Sequence, residues 1–233
     1  YKSNYGDNYK DSLNQALTSA GYKNLSEYRQ RMIKQIQYAN FLLDYIDDHF
    51  DDVFNDYYQQ CAPKYVSLIK ISVSDTSSPT DDETSKLNEV KELISNTDKS
   101  FGDIAQDYSD DSTSSKKGSL GIVDSKDTSG IANSYGKDVF NAIEALSEGQ
   151  VSDVITGDDG YYFVKVTSTD KKTLKKELKK TDIDSPLLAY DDYLQYVVYN
   201  SYKINYKDKD IKKIVQEVVN KALEERKTER GEA

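Results

Sequence analysis

The sequence is poor in the residue types that cross-link chains or carry nucleophilic chemistry. Its 233 residues include no Trp, one Met, three Pro, one Cys and one His. A single cysteine, Cys61, excludes an internal disulfide, and we expect it to be an inert, buried, small apolar residue. His49 lies among four aspartates and is expected at the surface. No Cys/His nucleophile pair is therefore indicated.

Long apolar runs and an excess of positive charge are also missing. No run approaches the roughly 20 apolar residues that span a bilayer. The 31 Lys and Arg against 41 Asp and Glu give a net charge of -10, which argues against nucleic acid as a partner and against unassisted binding to an anionic membrane. The first six residues have no apolar core, so we expect any export signal to have been removed or to lie outside this sequence. Neither an EF-hand loop nor a Gly-rich phosphate loop is present, and no metal or cofactor is expected.

Tyrosine, in contrast, is abundant, with 20 residues against 6 Phe. One explanation is a bias in genomic composition. The other is an adaptable contact surface, because Tyr combines a large ring with a polar tip. The second explanation predicts a concave, partly apolar surface lined by Tyr28, Tyr57, Tyr190 and Tyr193.

Both ends of the chain show apolar residues at helical spacing. In the first part, helices are predicted around Leu13–Ala20, from a capping box at Asn24 and Glu27 through Ile46, and over Val53–Tyr58. In the last part, helices are predicted over Lys171–Lys180, from Ser185-Pro186 along Leu187, Tyr190, Leu194 and Val197, and over Ile211–Ala222. Lys203–Tyr206 is predicted as a short strand.

The middle of the chain mixes strand and helix patterns. Tyr65–Val73 and Tyr161–Thr167 alternate as strands do, whereas a capping box at Thr80 and Glu83 begins a helical segment. Further helices are predicted over Phe101–Tyr108 and Val139–Leu146. The sequence therefore predicts an α+β domain over 64–168 with an antiparallel sheet of about four strands. We expect 1–62 and 171–233 to form one all-α lobe in which this domain is inserted.

Five motifs of the middle segment occur in the order and spacing of the parvulin-type peptidyl-prolyl isomerases. They are Val66-Ser67-Leu68-Ile69, Phe101-Gly102-Asp103-Ile104-Ala105-Gln106-Asp107-Tyr108-Ser109-Asp110-Asp111, Gly118-Ser119-Leu120-Gly121, Leu146-Ser147-Glu148-Gly149-Gln150-Val151-Ser152 and Gly160-Tyr161-Tyr162-Phe163-Val164-Lys165-Val166. Each motif is weak alone, but together they make the segment resemble that family over about 64–168.

The flanks resemble the lipid-anchored PrsA-type foldases of Gram-positive bacteria, on the residues Leu25-Ser26-Glu27-Tyr28-Arg29 and Asn205-Tyr206-Lys207-Asp208-Lys209-Asp210-Ile211. This resemblance implies an extracytoplasmic foldase at the outer face of the cell membrane. Its partners would be unfolded or partly folded exported polypeptides, and any lipid anchor would lie outside this chain. The oligomeric state stays open, and a dimer is one possibility.

The resemblance also implies the positions of the active site. Asp111 stands at the family's catalytic Asp or Cys position, whereas Leu68 and Tyr162 replace its two histidines. Leu120, Tyr135 and Val139 fall where the family has the residues that line the slot for the proline ring. Leu cannot hydrogen bond and the Tyr phenol can, so Asp111 and Tyr162 are the remaining catalytic candidates of a degenerate site.

Alternatives remain at the levels of residue and function. Asp111 is equally well explained as a loop residue that hydrogen bonds its own backbone, and Tyr162 as a structural aromatic of the sheet. Three functions stay open: a chaperone or foldase with weak or no isomerase activity, a competent prolyl isomerase, and a cell-surface binding or scaffold module that reuses the fold.

Overall fold

The computed structural model describes residues 2–178, 185–190 and 192–229 of the chain. The chain divides into two compact units, Tyr1–His49 and Phe50–Ala233. In the described residues, no helix combines the length and the apolar character needed to cross a bilayer.

The first unit is helical. Its elements are α1 (Lys2–Tyr5), a 3-10 turn (Gly6–Asn8), α2 (Tyr9–Ser19) and α3 (Leu25–Asp48). Asn24 begins α3 as predicted, because its side chain accepts a hydrogen bond from the Glu27 N–H. The Glu27 carboxylate accepts from the Lys23 N–H rather than from Asn24, so one half of the predicted capping box forms.

The second unit contains a sheet, and helices precede, separate and follow its strands along the chain. Its elements are α4 (Phe50–Cys61), β1 (Lys64–Ser72), α5 (Asp81–Asn96), α6 (Phe101–Tyr108), a 3-10 helix (Ser112–Lys116), β2 (Ser119–Val123), α7 (Ile131–Tyr135), α8 (Lys137–Ala145), β3 (Ile155–Thr156), β4 (Gly160–Ser168), α9 (Lys171–Leu178), α10 (Pro186–Ala189), α11 (Asp192–Ser201) and α12 (Lys209–Glu229).

The four strands form one antiparallel sheet in the order β2-β1-β4-β3, which confirms the predicted α+β fold. Side chains alternate between the two faces of a strand, and each face has its own apolar core. On one face, Leu68 and Tyr162 lie in a cluster with residues of α7 and α8. On the other face, Ile69 and Phe163 pack with residues of α5 and α6. The sheet is thus the platform between a helical layer on each side.

Helix α4 connects the sheet to the helices that follow it. The Tyr57 hydroxyl donates to buried Asp124 just after β2, at 2.7 Å. Buried Asp56 accepts from the Tyr190 hydroxyl at 2.6 Å and also pairs with Arg226 of α12. The domain boundaries predicted at 62, 64, 168 and 171 stay a prediction. In the structure α4 belongs to the unit that contains the sheet and the C-terminal helices.

Three local predictions were wrong. Lys203–Tyr206 is not a strand, and no other described segment pairs with it to supply the required hydrogen bonds. The helix predicted through Tyr190 ends at Ala189 and a new helix begins at Asp192. Tyr57 and Tyr190 are 0% and 4% exposed, because their hydroxyls bond buried carboxylates, so these two tyrosines do not line a surface groove. The end of the predicted Lys171–Lys180 helix lies outside the described residues.

Candidate active site

Strand β1 buries Leu68 at the centre of the domain. Leu68 is 0% exposed, and its N–H donates to the Gly118 carbonyl at 2.8 Å. Gly118 has φ +75°, and a Cβ there would lie 2.4 Å from the Leu68 carbonyl oxygen and 2.8 Å from the Ala105 Cβ. Only glycine permits this approach. The first glycine of the Gly-Ser-Leu-Gly motif therefore sets the position of the strand that carries Leu68.

The loop that carries Asp111 is attached to the same strand. The Ser109 hydroxyl accepts from the Lys70 N–H at 3.1 Å, and the Asp110 N–H donates to the Lys70 carbonyl at 2.8 Å. Asp111 itself is half-buried, and its carboxylate accepts from the Thr113 N–H at 2.8 Å and from the Thr113 hydroxyl at 2.6 Å. Asp111 thus hydrogen bonds within its own loop, as the explanation of Asp111 as a loop residue predicts. Both bonds use Oδ1, which leaves the second carboxylate oxygen for other contacts.

Leu120 reaches the site through a bulge in β2. Val66 is opposite Gly121 and Ser67 is opposite Ser119, so Leu120 is the extra residue between two paired positions. A bulge of this kind re-aims a side chain relative to a regular strand. Leu120 is partly buried and packs against the cluster that contains Leu68, Val139 and Tyr162.

Helices α7 and α8 supply Tyr135 and Val139. Tyr135 ends α7, Gly136 turns the chain with φ +98°, and Val139 is buried in the first turn of α8. The Tyr135 ring meets the Tyr162 ring edge to face, with 6.2 Å between centroids. Burial, together with the facing Asp111 carboxylate, raises the pKa of Tyr135 to about 12. Tyr135 thus connects Asp111 to Tyr162.

Tyr162 is held by Asp159 and Lys70. Its hydroxyl donates to Asp159 in the turn before β4. The Lys70 ammonium pairs with the other carboxylate oxygen of Asp159 at 2.5 Å and lies 5.6 Å from the centroid of the Tyr162 ring. Burial and the hydrogen bond to Asp159 raise the pKa of Tyr162 well above its ordinary value, whereas Lys70 and Tyr162 lower the pKa of Asp159.

Tyr162 and Asp159 border a cleft of about 600 Å³ beside α7, α8 and the β3–β4 turn. Of the predicted site residues, Tyr135, Val139 and Tyr162 line the cleft. Leu68 and Leu120 lie in the apolar cluster behind it, and Asp111 joins through Tyr135. The structure therefore brings the six predicted residues into one region. Their roles in catalysis and in substrate binding stay predictions.

Sequence reasoning missed Lys70, Gly157 and Asp159. Lys70 lies two residues after Leu68 and therefore on the same face of β1, which is a signal that strand alternation offered. Gly157 lies against the ring, because a Cβ there would be 2.7 Å from the Tyr162 Cε2. Asp159 lies two residues before the predicted strand Tyr161–Thr167, and nothing in the spacing indicated its bond to the Tyr162 phenol.

The cleft combines apolar side chains such as Val139 and Ile155 with two phenols and with charged side chains, among them Asp138, Asp158 and Asp159. Both phenols stay protonated at neutral pH, since the pKa of each is raised. Rotation about a prolyl amide requires no covalent bond to the enzyme, and its barrier arises from the partial double bond of the amide. A cleft that places apolar side chains beside polar groups suits that reaction. Among the described residues that line it there is neither a His nor a Cys.

Comparisons with known proteins agree on the middle segment. The family model described as "Rotamase: PPIC-type PPIASE domain" matches residues 68–168. Foldase protein PrsA of Staphylococcus aureus strain MRSA252 is 32% identical over 141 residues, covering 58% of this chain and 41% of that protein. The same figures hold for foldase protein PrsA of Staphylococcus epidermidis strain ATCC 12228. The chain thus spans less than half the length of these relatives.

Among solved structures, PrsA from Bacillus subtilis aligns with a TM-score of 0.42 and 23% identity, covering 91% of this chain and 75% of that chain. Foldase protein PrsA from Streptococcus pneumoniae aligns with a TM-score of 0.36 and 24% identity, covering 91% and 76%. The family match, over residues 68–168, includes the segment that holds the cleft. The chain contains a PPIC-type parvulin peptidyl-prolyl isomerase domain, homologous to that of the PrsA foldases.

Proposed function

We propose that this chain is an extracytoplasmic foldase that holds exported polypeptides and isomerises their prolyl bonds weakly. The observation that carries the proposal is the parvulin domain at 68–168, with a cleft lined by Tyr135 and Val139, two of the three residues that the resemblance assigns to the proline slot. The relatives that match it are named foldases. Client holding and prolyl isomerisation complement each other, because a client must be kept from aggregating while its slow prolyl isomerisation proceeds.

Weak isomerisation is proposed because the site keeps its apolar walls and loses its titratable rings. Leu68 offers no hydrogen bond, and Tyr162 supplies a phenol that is already bonded to Asp159. The proposed slot keeps Leu120 and Val139 as apolar residues, and Val139 lines the cleft together with Tyr135 and Tyr162. An apolar surround favours the twisted amide, which is less polar than the planar one, so we expect slow turnover rather than none.

Client holding is supported by apolar side chains that the helical segments leave in solvent. In α3, Ile33, Ile36 and Phe41 are each more than half exposed. In α12, Ile211, Ile214 and Val218 are 56%, 61% and 64% exposed and follow one stripe of the helix. Contiguous exposed apolar side chains of this kind mark surfaces that bind other chains.

The expected partners are unfolded or partly folded exported chains, and neither nucleic acid nor a cofactor is part of the proposal. An extracytoplasmic location, on the outer face of a Gram-positive membrane through a lipid anchor, rests on the resemblance to PrsA-type foldases. The net charge of -10 suits such a role, since like charge resists self-association of a chain with exposed apolar residues.

The test is a pair of assays on the same preparation of the full chain. One measures light scattering of a diluted, denatured client, and the other measures cis/trans exchange of an Ala-Pro peptide by NMR. We expect the chain to suppress scattering at a molar ratio to the client of one or less, and to catalyse slow exchange of the peptide. The double change Leu68→His and Tyr162→His should increase exchange and leave client holding as it is. A chain that neither suppresses scattering nor accelerates exchange would contradict the proposal and favour a surface binding module.

A further inference from the structure

The polar contact beside the Tyr162 ring comes from a different position of β1 than the family pattern suggests. Leu68 pairs with Val164 across the sheet, whereas Lys70 pairs directly with Tyr162. Residues 68 and 70 share one face of the strand, so moving the polar residue by two positions keeps it on the side of the cleft. The Lys70 side chain is only 17% exposed, although it carries a charge.

The contacts of Lys70 form a chain that ends at the phenol. Its ammonium pairs with Oδ2 of Asp159 at 2.5 Å, and Oδ1 of the same carboxylate accepts the Tyr162 hydroxyl. Because Asp159 is 65% exposed, water competes for its carboxylate, and the partly buried Lys70 is what keeps it directed at the phenol. The ammonium also lies 5.6 Å from the ring centroid, within the range of a cation–π contact.

Gly157 makes this arrangement possible. A Cβ at Gly157 would lie 2.7 Å from Cε2 of Tyr162, so the turn before β4 can close on the ring only when residue 157 has no side chain. The Tyr135 ring meets Tyr162 edge to face. Tyr162 is therefore fixed through its hydroxyl by Asp159 and through its ring by two neighbours.

We propose that Lys70 and Asp159 are positioning residues of the prolyl isomerase site, and that they fix Tyr162 as a rigid wall of the proline slot in place of the missing histidine pair. The inference rests on the proposed isomerase function of this domain. A rigid wall matters because catalysis without covalent chemistry depends on the shape and dipoles of the slot, which a rotating ring cannot preserve.

The first experiment measures cis/trans exchange of an Ala-Pro peptide with the full chain. We expect Tyr162→Phe, Asp159→Asn and Lys70→Met each to lower the exchange rate on the order of 10-fold, as loss of positioning does in other sites. Lys70→Arg should restore most of the rate, because Arg also pairs with a carboxylate. Lys70→Met should have little further effect in the Asp159→Asn background, since both changes break the same chain of contacts.

The chain offers a matched control on the other side of the sheet. Lys99 pairs with Asp107 at 2.6 Å and lies 5.3 Å from the Tyr108 ring centroid, so it repeats the ion pair and the cation–π distance of Lys70 away from the cleft. The Tyr108 hydroxyl, however, donates to Glu89 and not to the carboxylate that pairs with the lysine. Lys99→Met should leave exchange unchanged. Equal losses from Lys99→Met and Lys70→Met would overturn the inference, because the effect would then be one of general stability.

A second readout does not depend on turnover. In protein labelled at the tyrosine ζ-carbon, the Tyr162 resonance, assigned with Tyr162→Phe, reports the titration of its hydroxyl at alkaline pH. The groups that face it are Asp159, Asp111, Tyr135 and Lys70. Asp159→Asn should lower the pKa of Tyr162, because it removes a carboxylate that accepts the phenol proton. An unchanged titration would show that Asp159 does not hold the phenol.

The outcomes separate this inference from the broader function. A wild-type chain that suppresses client aggregation but shows no exchange would overturn the positioning role in isomerisation and leave the foldase proposal intact. Exchange that survives all three substitutions would likewise overturn the inference, while the isomerase function would stand.

Discussion

Single residues decide how closely the strands and turns of this domain approach one another. Gly118 and Gly157 both occupy places where a Cβ would collide with a site residue or its backbone. Gly149 has a φ of +83°, similar to the +75° of Gly118, yet nothing lies within 4 Å of the Cβ that it would gain. Gly118 and Gly149 therefore share a positive φ and differ in packing, which makes the two effects separable by experiment.

Gly118→Ala should lower the free energy of unfolding by roughly 2–4 kcal/mol, because the methyl group adds a collision with the Leu68 carbonyl and the Ala105 Cβ to the cost of positive φ. Gly149→Ala should lose only about 1 kcal/mol, since it has the φ cost alone. Urea unfolding of both variants measures the difference. Similar losses at the two positions would mean that the strand at Leu68 shifts freely, contrary to its 0% exposure.

Elements of this fold were predictable where the chain repeats a pattern over several turns or strand residues. The Thr80–Glu83 box begins α5 as expected, and alternation located β1 and β4 within one or two residues of their ends. Helix α7 and strand β3 were missed, because five and two residues are too few to show a period. The pairing of Lys70 with Asp159 was also missed, because a contact between residues 89 positions apart leaves no trace in local spacing.

The candidate site was predictable to the extent that it follows family motifs. The resemblance assigned Leu120, Tyr135 and Val139 to the proline slot and Tyr162 to catalysis. Tyr135, Val139 and Tyr162 do border one cleft, whereas Leu120 lies in the apolar cluster beside it. What motif order did not indicate was the partner of each polar group. Those partners depend on strand register and on the turn at Gly157, which only the folded backbone determines.

The contacts of Glu83 at the start of α5 should make the stability of the fold depend on pH in the acidic range. The N–H groups of Thr80 and Ser74 donate to the Glu83 carboxylate and lower its pKa from 4.5 to about 2. A carboxyl whose folded pKa is depressed stabilises the fold fully above its unfolded pKa, and that contribution is lost as pH falls from about 4.5 toward 2. Glu83→Gln should therefore be less stable than wild type at pH 7, with the difference shrinking below pH 4.5.

Urea midpoints of wild type and Glu83→Gln between pH 3 and pH 7 measure this dependence. Asp82→Asn is the matched control, because it removes one negative charge from the same first turn of α5. We expect its difference from wild type to vary less with pH. If the Glu83→Gln difference stayed constant down to pH 3, the hydrogen bonds to the carboxylate would not be the source of the stabilisation.

At the scale of the whole molecule, the chain has two kinds of surface that suit the proposed foldase function. The cleft of about 600 Å³ has the Tyr135 and Tyr162 rings in its lining and is the proposed site for a prolyl residue. The apolar stripe of α12 is open, and beside it a second cavity of about 300 Å³ is lined by residues including Tyr196, Tyr199 and Val218. These surfaces come from different elements of the chain, so changes in one should leave the activity of the other intact.

Client holding should depend on α12 and not on the cleft. Ile214→Asp places a charge on the apolar stripe, where residue 214 is 61% exposed, so we expect weaker suppression of client aggregation with little change in stability. Gln216→Asp adds the same charge two residues away, toward the opposite side of the helix, and should retain suppression. Tyr162→Phe should also retain it, while exchange of the Ala-Pro peptide falls. Light scattering measures suppression, and multi-angle scattering of the same samples measures mass. A change in mass rather than in suppression for Ile214→Asp would identify the stripe as a contact between copies of the chain and would contradict its role in binding clients.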